Sequence, residues 1–178
     1  MNILVCPLSR VNDQAVQWRP THVISVLDPD HPFPTVIGLS PSRHLRLTFH
    51  DAHLARHGVT LPTKEHVGQL LTFLERCSPT DRLLIHCRAG IGRSTAAAFI
   101  VACHRFPTVS ELQIAKSLRD AAPFARPNET FVKVADEVMA RGGRMSSAIE
   151  ETGRGLSWLD LAEGDAFELV IGDTDLLA

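Results

Sequence analysis

The sequence predicts an α/β domain with a central, largely parallel sheet, and three observations lead to this prediction. In the first hundred residues, short apolar runs typical of buried strands alternate with segments of helical periodicity. Helical patterns then dominate up to about residue 141. Between residues 85 and 95, a glycine-containing turn joins an apolar run to an apolar helical segment, which puts polar residues at the carboxyl end of a strand.

The strands are predicted from short apolar runs. The predicted strands cover residues 3–5, 23–27, 45–49, 83–85 and 167–171. Apolar and polar residues alternate in 45–49, as they do in a half-buried strand, whereas 83–85 is continuously apolar and therefore buried. After the second strand, three prolines within residues 28–34 break regular structure, because proline continues neither a strand nor a helix.

Helices are predicted where apolar residues recur every three or four positions. The predicted helices cover residues 11–18, 63–77, 95–102, 108–120 and the segment that follows Asn128. Thr63 caps the second of these helices. Thr108 and Glu111 have the spacing of a capping box, and Gly142-Gly143 is expected to end the last helix.

The distribution of charge divides the chain into two parts. The whole chain of 178 residues has a net charge of −2, which does not indicate a nucleic acid or an anionic membrane as a partner. Residues 142–178 hold eight acidic residues and two arginines, so residues 1–141 have a charge of about +4. We therefore expect a folded domain over 1–141 and an acidic extension over 142–178. The extension either packs on the domain, with residues 158–161 as an apolar anchor, or is partly flexible.

The cysteines and the termini indicate a soluble protein of a reducing cytoplasm. No Cys-x-x-Cys pair is present, so neither a disulfide framework nor a zinc site is predicted. Residues 1–7 lack the basic segment and the long apolar run of a signal peptide, and no apolar stretch is long enough to span a bilayer. The four cysteines are Cys6, Cys77, Cys87 and Cys103.

The segment most informative about function is residues 86–94, with the sequence His-Cys-Arg-Ala-Gly-Ile-Gly-Arg-Ser. A tight turn between a strand and a helix leaves several backbone N–H groups converging at the positive end of the helix, where they bind a tetrahedral oxyanion. Cys87 is expected at the floor of this cradle, where the local field favours a nucleophilic thiolate. The planar fork of Arg93 can bind two phosphate oxygens. The segment therefore predicts a phosphate cradle that contains a nucleophile.

This segment resembles the His-Cys-x5-Arg-Ser signature of the cysteine-dependent protein tyrosine phosphatase superfamily, and at every position it is similar to the dual-specificity branch. The resemblance covers roughly residues 1–141 and implies the protein tyrosine phosphatase-like fold. It also implies hydrolysis of a phosphomonoester through a phosphocysteine intermediate, with no metal and no cofactor. The expected phosphate-binding residues are Arg88, Ala89, Gly90, Ile91, Gly92 and Arg93.

The resemblance also implies roles for residues around the cradle. Asp51 follows a predicted strand thirty-six residues before Cys87, where dual-specificity phosphatases have their general acid; Asp28 and Asp30 are the reserve candidates. Ser94 is expected to hydrogen-bond the cysteine sulfur. The catalytic residues would then be Cys87, Arg93, Asp51 and Ser94. His86 is expected to brace the backbone, and Arg126 and Asn128 to support the cradle, with helix capping as the alternative role of Asn128.

The substrate is less sharply predicted. Relatives that act on phosphoinositides tend to have lysines inside the signature, whereas this chain has Arg88, Ala89 and Ile91, which favours a phosphorylated protein or a small phosphomonoester. A phosphoinositide or another non-protein phosphate is the alternative. No interleaving of basic and aromatic residues indicates a nucleic-acid partner, although RNA 5′-phosphatases occur among the relatives. The oligomeric state stays open.

Three other interpretations compete with the cysteine mechanism. The chain would be a metal-dependent phosphohydrolase if His50, Asp51, His53 and His57 formed a metal site. It would be a phosphate-binding module if it were a catalytically inactive relative. A Walker-type nucleotide loop is rejected, because residues 90–95 lack the required lysine and glycine spacing.

Two further cysteines have alternative roles. Cys6 is adjacent to a strand that would neighbour the catalytic strand, so a protective disulfide with Cys87 is considered there. Cys103 falls in the apolar run of a buried helix and is expected to be a core residue.

Overall fold

A five-stranded sheet runs through the structure, a computed structural model that describes residues 1–153, 155 and 161–171. The strands are β1 (Asn2–Pro7), β2 (His22–Leu27), β3 (His44–Thr48), β4 (Arg82–Cys87) and β5 (Phe167–Leu169). Their order in the sheet is β3-β2-β4-β1-β5. The first four strands of this order pair in parallel, and β5 pairs antiparallel with β1. This arrangement confirms the predicted mostly parallel sheet.

Helices cover both faces of the sheet, so the central strands β1, β2 and β4 are buried on both sides. The helices are α1 (Val11–Trp18), α2 (Lys64–Leu74), α3 (Arg93–Arg105), α4 (Glu111–Ala121), α5 (Glu129–Val138) and α6 (Arg144–Thr152). α1 packs on one face, where Val11 joins Leu4, Val23 and Leu84. α2 to α6 form the larger core on the other face. Each helix of the sequence analysis is confirmed, with bounds that differ by a few residues.

The central helix α3 is buried from Arg93 to Cys103. Ala96, Ala97 and Ala98 are fully buried, and their small side chains let the helix lie close to the sheet. This close packing places the amino end of α3 directly after β4. Cys103 lies in this buried run, as expected of a core residue.

The start of α4 differs from the prediction. The residue that caps the helix is Ser110, whose Oγ accepts a hydrogen bond from the Gln113 N–H at 3.2 Å. Thr108 instead lies in a turn closed by the backbone hydrogen bond from Val109 to Phe106. The carboxylate of Glu111 does not close a capping box but accepts hydrogen bonds from Arg141 and Arg144. Glu111, which the local pattern assigned to a capping box, therefore forms long-range ion pairs.

The region of Gly142-Gly143 also differs from the prediction, because it connects two helices. α5 already ends at Val138, and Gly143 has a positive φ of 88° and precedes α6. The carboxylate of Asp136 accepts hydrogen bonds from the N–H groups of Gly143, at 2.7 Å, and Ser146, at 2.9 Å. Asp136 thus binds the otherwise unpaired amides at the start of α6. The sequence analysis did not predict this helix.

Part of the acidic extension contacts the sheet. β5 lies within the predicted strand 167–171 and pairs with residues 3–5 of β1. Glu168 accepts a hydrogen bond from the Trp18 indole at 3.0 Å. Most of the predicted apolar anchor at 158–161 lies outside the described residues. Within the residues that the structure describes, no helix is long and apolar enough to cross a membrane.

Candidate active site

Residues 88–92 form a loop between β4 and α3, with Cys87 at its base. The cysteine is buried, with 1% of its surface exposed. The Gly90 N–H donates a hydrogen bond to Cys87 Sγ at 3.2 Å, and Ser94 Oγ lies 3.1 Å from the same sulfur. The loop therefore closes over the thiol and directs hydrogen-bond donors at it.

The carbonyl groups of this loop face outward. Four of the five, those of residues 88, 89, 91 and 92, accept a hydrogen bond from a neighbouring segment. Because all the described peptides are trans, the N–H of each of these four peptides points the opposite way, into the loop. These outward bonds run from Leu8 N to Arg88 O (3.1 Å), Gly164 N to Ala89 O (2.8 Å), Arg126 N to Ile91 O (2.9 Å) and Asn128 N to Gly92 O (3.2 Å). The result is a ring of inward N–H groups, which is suited to a tetrahedral oxyanion.

Two glycines of the loop are required by close contacts. Gly90 has a φ of 74°, and a Cβ there would lie only 2.8 Å from the backbone nitrogen of Pro7. At Gly92 a Cβ would overlap Asp51 Oδ2. A side chain at position 90 would push the loop away from β1, and one at position 92 would displace the Asp51 carboxylate.

Arg93, the first residue of α3, is held by two groups. Its Nη1 and Nη2 bind both carboxylate oxygens of Asp28, at 3.1 and 3.3 Å, and Nη1 also donates to the Phe49 carbonyl at 2.7 Å. The side chain is only 4% exposed, and its Nε–H has no acceptor among the described residues. Nε–H and the second N–H of Nη2 share one edge of the guanidinium. The two N–H groups of that edge can donate hydrogen bonds to two oxygens of one anion.

Asp51 lies against the cradle, in the loop after β3. Its Oδ1 accepts a hydrogen bond from Asn128 Nδ2 at 2.7 Å, and its Oδ2 lies over Gly92. Asn128 also accepts a hydrogen bond from the Phe131 N–H at 2.9 Å through its Oδ1, so it caps α5 as well. Asp51 remains exposed to solvent. One Asn128 side chain makes both contacts, because its amide group has both a donor and an acceptor.

His86 lies behind the cradle in a chain of buried hydrogen bonds. Its Nδ1 lies 3.4 Å from the Cys87 carbonyl, and its Nε2 lies 2.5 Å from Ser25 Oγ. Ser25 Oγ lies 2.7 Å from His44 Nε2. Because a carbonyl only accepts, His86 carries its proton on Nδ1, and its Nε2 accepts a hydrogen bond from the Ser25 hydroxyl. Burial lowers the pKa of His86 and of His44 to about 4, so both rings are neutral near pH 7.

Cys6 and Cys87 are free thiols in the structure. Cys6 pairs with His86 in the register of β1 and β4, and it packs in the cluster beneath α1. Cys87 packs in the core on the other face. Burial raises the pKa of Cys6, and likewise that of Cys103, to about 12.

The histidines of the competing metal-site interpretation do not converge. His50 Nδ1 accepts a hydrogen bond from the Thr60 N–H at 2.9 Å, and His53 and His57 are exposed. Across the part of the chain that the structure describes, no three His, Cys, Asp or Glu side chains are grouped as metal ligands would be.

Several residues that complete the site were missed or misassigned in the sequence analysis. Asp28, a reserve candidate for the acid, binds Arg93 through both carboxylate oxygens, and Asp30, the other reserve candidate, is exposed. Ser25, His44, Leu8 and Gly164 were not singled out. Asp28 could have been found from its position, because it directly follows a strand that pairs with β4. Gly164 has no comparable local signal.

Solved structures similar to this chain are phosphatases and a phosphatase-like protein. No protein-family model matches the sequence, and no curated protein matches it. The structure of DUSP15 is 22% identical, covers 86% of this chain and 94% of its own, and has a TM-score of 0.58. The human tyrosine phosphatase-like serine/threonine/tyrosine-interacting protein is 18% identical and covers 79% and 92%, with a TM-score of 0.60.

A third similar structure is that of the Cydia pomonella PTP-2 phosphatase. It is 21% identical, covers 76% of this chain and 84% of its own, and has a TM-score of 0.59. At these identities the comparison establishes the fold. The chain has the protein tyrosine phosphatase-like fold.

Proposed function

We propose that the protein is a cysteine-dependent phosphomonoester hydrolase of the protein tyrosine or dual-specificity type. The observation that carries this proposal is the buried Cys87 thiol at the centre of a ring of inward N–H groups, beside the edge of Arg93 that carries Nε–H. The resident groups supply the positive potential that a phosphoryl transfer needs, so no metal is required for charge stabilisation.

In the first step, the Cys87 thiolate attacks the phosphorus atom. The S–P bond forms as the bond from phosphorus to the leaving oxygen breaks, and that oxygen takes a proton from the Asp51 carboxyl group. The inward N–H groups and Arg93 bind the three other oxygens. Asp28 binds Nη1 and Nη2 at the end of the Arg93 guanidinium. The edge of the guanidinium that carries Nε–H then faces the phosphoryl group.

In the second step, water releases the phosphate. The Asp51 carboxylate takes a proton from the water, whose oxygen attacks phosphorus while the S–P bond breaks and the thiolate leaves. Ser94 Oγ, 3.1 Å from the sulfur, donates a hydrogen bond to the departing thiolate. Asn128 positions Asp51 through its 2.7 Å hydrogen bond.

The proposed substrate is a phosphorylated protein, with phosphotyrosine as the first candidate. A groove of about 480 Å³ lies between α5 and α6, and its lining includes Lys133, Glu150 and Arg126, whose backbone N–H donates to the Ile91 carbonyl of the cradle loop. A groove of this size gives room to residues that flank a phosphorylated side chain, which a small phosphomonoester lacks. Because a thiol nucleophile must stay reduced, we also propose a cytoplasmic location.

The proposal is tested by phosphate release from a phosphotyrosine peptide in excess EDTA, followed by acid quenching and mass spectrometry of the enzyme. We expect release that is unaffected by the chelator and one phosphoryl group on the peptide that contains Cys87. Loss of activity with EDTA, restored by a divalent metal, would support the histidine site instead. Binding of the peptide without release would support an inactive binding module.

The general acid is tested by Asp51→Asn. We expect kcat for a phosphotyrosine peptide to fall by about 10²- to 10³-fold, because the phenoxide must then leave without a proton. For an aryl phosphate whose leaving group has a low pKa, the fall should be about tenfold or less, since that leaving group needs no proton. Asp30→Asn, which alters an exposed acid of the proline-rich segment, is the control. Equal losses with both leaving groups would contradict the assignment of Asp51 as the acid.

A further inference from the structure

The acidic extension supplies one of the four backbone N–H donors that bind the cradle carbonyls from outside β4 and α3. Gly164 N–H donates to the Ala89 carbonyl at 2.8 Å, whereas the other three donors belong to residues 8, 126 and 128. The Ala89–Gly90 peptide is planar and trans, so its N–H points away from Gly164. That N–H is the one that donates to Cys87 Sγ at 3.2 Å.

This peptide can turn over at little conformational cost. Gly90 has a positive φ of 74°, and glycine adopts either sign of φ at little cost. Rotation of the Ala89–Gly90 peptide would point its carbonyl oxygen at the thiol and at any bound anion. The hydrogen bond from Gly164 opposes this rotation, because it would be lost when the carbonyl turned inward.

The extension is held in place on both sides of Gly164. Glu163 accepts a hydrogen bond from Ser9 Oγ at 2.6 Å, and Phe167 begins the strand β5. Gly164 is buried, and a Cβ there would overlap the ring of Phe124. Only a glycine therefore lets the extension come close enough to the loop to donate this hydrogen bond.

We infer that Gly164 is a positioning residue of the phosphate site, whose N–H keeps the Gly90 N–H directed at the oxyanion. The inference rests on the proposed function in that the cradle is taken to bind phosphate. It gives the acidic extension a direct part in the site, in addition to its pairing with β1.

The test replaces Gly164 by glycolic acid in the full-length chain, which turns the donating N–H into an ester oxygen and adds no side chain. The same replacement at Gly58, in an exposed turn, is the matched control. Affinity for inorganic phosphate is measured by calorimetry, together with the thermal unfolding midpoint, kcat and KM. We expect phosphate affinity to fall by about tenfold at Gly164, with KM rising in parallel, and no change at Gly58.

A second variant tests the same contact in case the replacement at Gly164 impairs folding. Ser9→Ala removes the hydrogen bond to Glu163 on the surface, and we expect phosphate affinity to fall by about two- to threefold with an unchanged unfolding midpoint. Glu168→Gln, which alters the extension beyond the loop, should leave the affinity unchanged.

The outcomes separate this inference from the proposed function. Normal phosphate affinity in both the Gly164 and the Ser9 variants would overturn the inference and leave the phosphatase proposal standing. Weakened phosphate binding in a protein that hydrolyses no phosphomonoester would support the inference and contradict the phosphatase proposal. A wild-type chain that does not bind phosphate would overturn both.

Discussion

Cys87→Ser is expected to abolish phosphate release, with a loss of at least about a thousandfold in kcat. The serine oxygen would occupy nearly the same place as the sulfur, 3.2 Å from the Gly90 nitrogen, so the cradle keeps its shape. A serine hydroxyl is nevertheless a far weaker nucleophile than a thiolate, and no histidine contacts it as a general base. The chemistry should therefore be lost while the binding site is retained.

The measurement compares turnover with binding of inorganic phosphate in the same variant. Phosphate affinity should stay within about threefold of the wild type, because the inward N–H groups and Arg93 are unchanged. Cys77→Ser is the matched control, since Cys77 is also buried and its Sγ donates a hydrogen bond to the Phe73 carbonyl, outside the cradle. Turnover by Cys87→Ser equal to that of Cys77→Ser would refute the nucleophile assignment.

Arg93→Lys is expected to lower kcat/KM by about 10³-fold and phosphate affinity by at least about tenfold. Arg93 uses its end-on N–H groups for Asp28 and leaves its side edge for the anion. A lysine ammonium has no such fork, so it can pair with Asp28 or with phosphate but cannot hold both in this geometry. The charge on the phosphoryl oxygens in the transition state then lacks a bidentate donor, which raises the activation free energy by about 4 kcal/mol.

Arg105→Lys is the control at the other end of α3. Arg105 binds the backbone carbonyls of Leu74 and Cys77, far along the helix from the cradle, so its loss should affect thermal stability and leave kcat/KM within about twofold. The measurement is a full Michaelis–Menten analysis of both variants, with unfolding midpoints. An Arg93→Lys enzyme with near-normal kcat/KM would show that the fork does not bind the transferred phosphoryl group.

Most of the fold could be predicted from the sequence because its elements have strong local patterns. The strands β1, β2 and β4 are apolar on both faces, and α2 and α5 bury one regular face each. Errors arose where a distant partner decided a local structure. Glu111 pairs with arginines about thirty residues later and does not form the predicted capping box. Asp136 binds the first amides of α6, a helix that follows the Gly-Gly pair and was not predicted.

The nine residues 86–94 by themselves determined the predicted nucleophile, the anion-binding loop and the arginine, because a strand–turn–helix segment builds this cradle from consecutive residues. Only the tertiary structure decided which carboxylate binds Arg93 and which lies against the loop. Asp28 reaches Arg93 because β2 pairs with β4, and Asp51 reaches the loop because Asn128 holds it. Likewise, Gly164 reaches Ala89 because β5 pairs with β1. Such contacts join residues far apart in the chain, and the local sequence around each residue does not encode its partner.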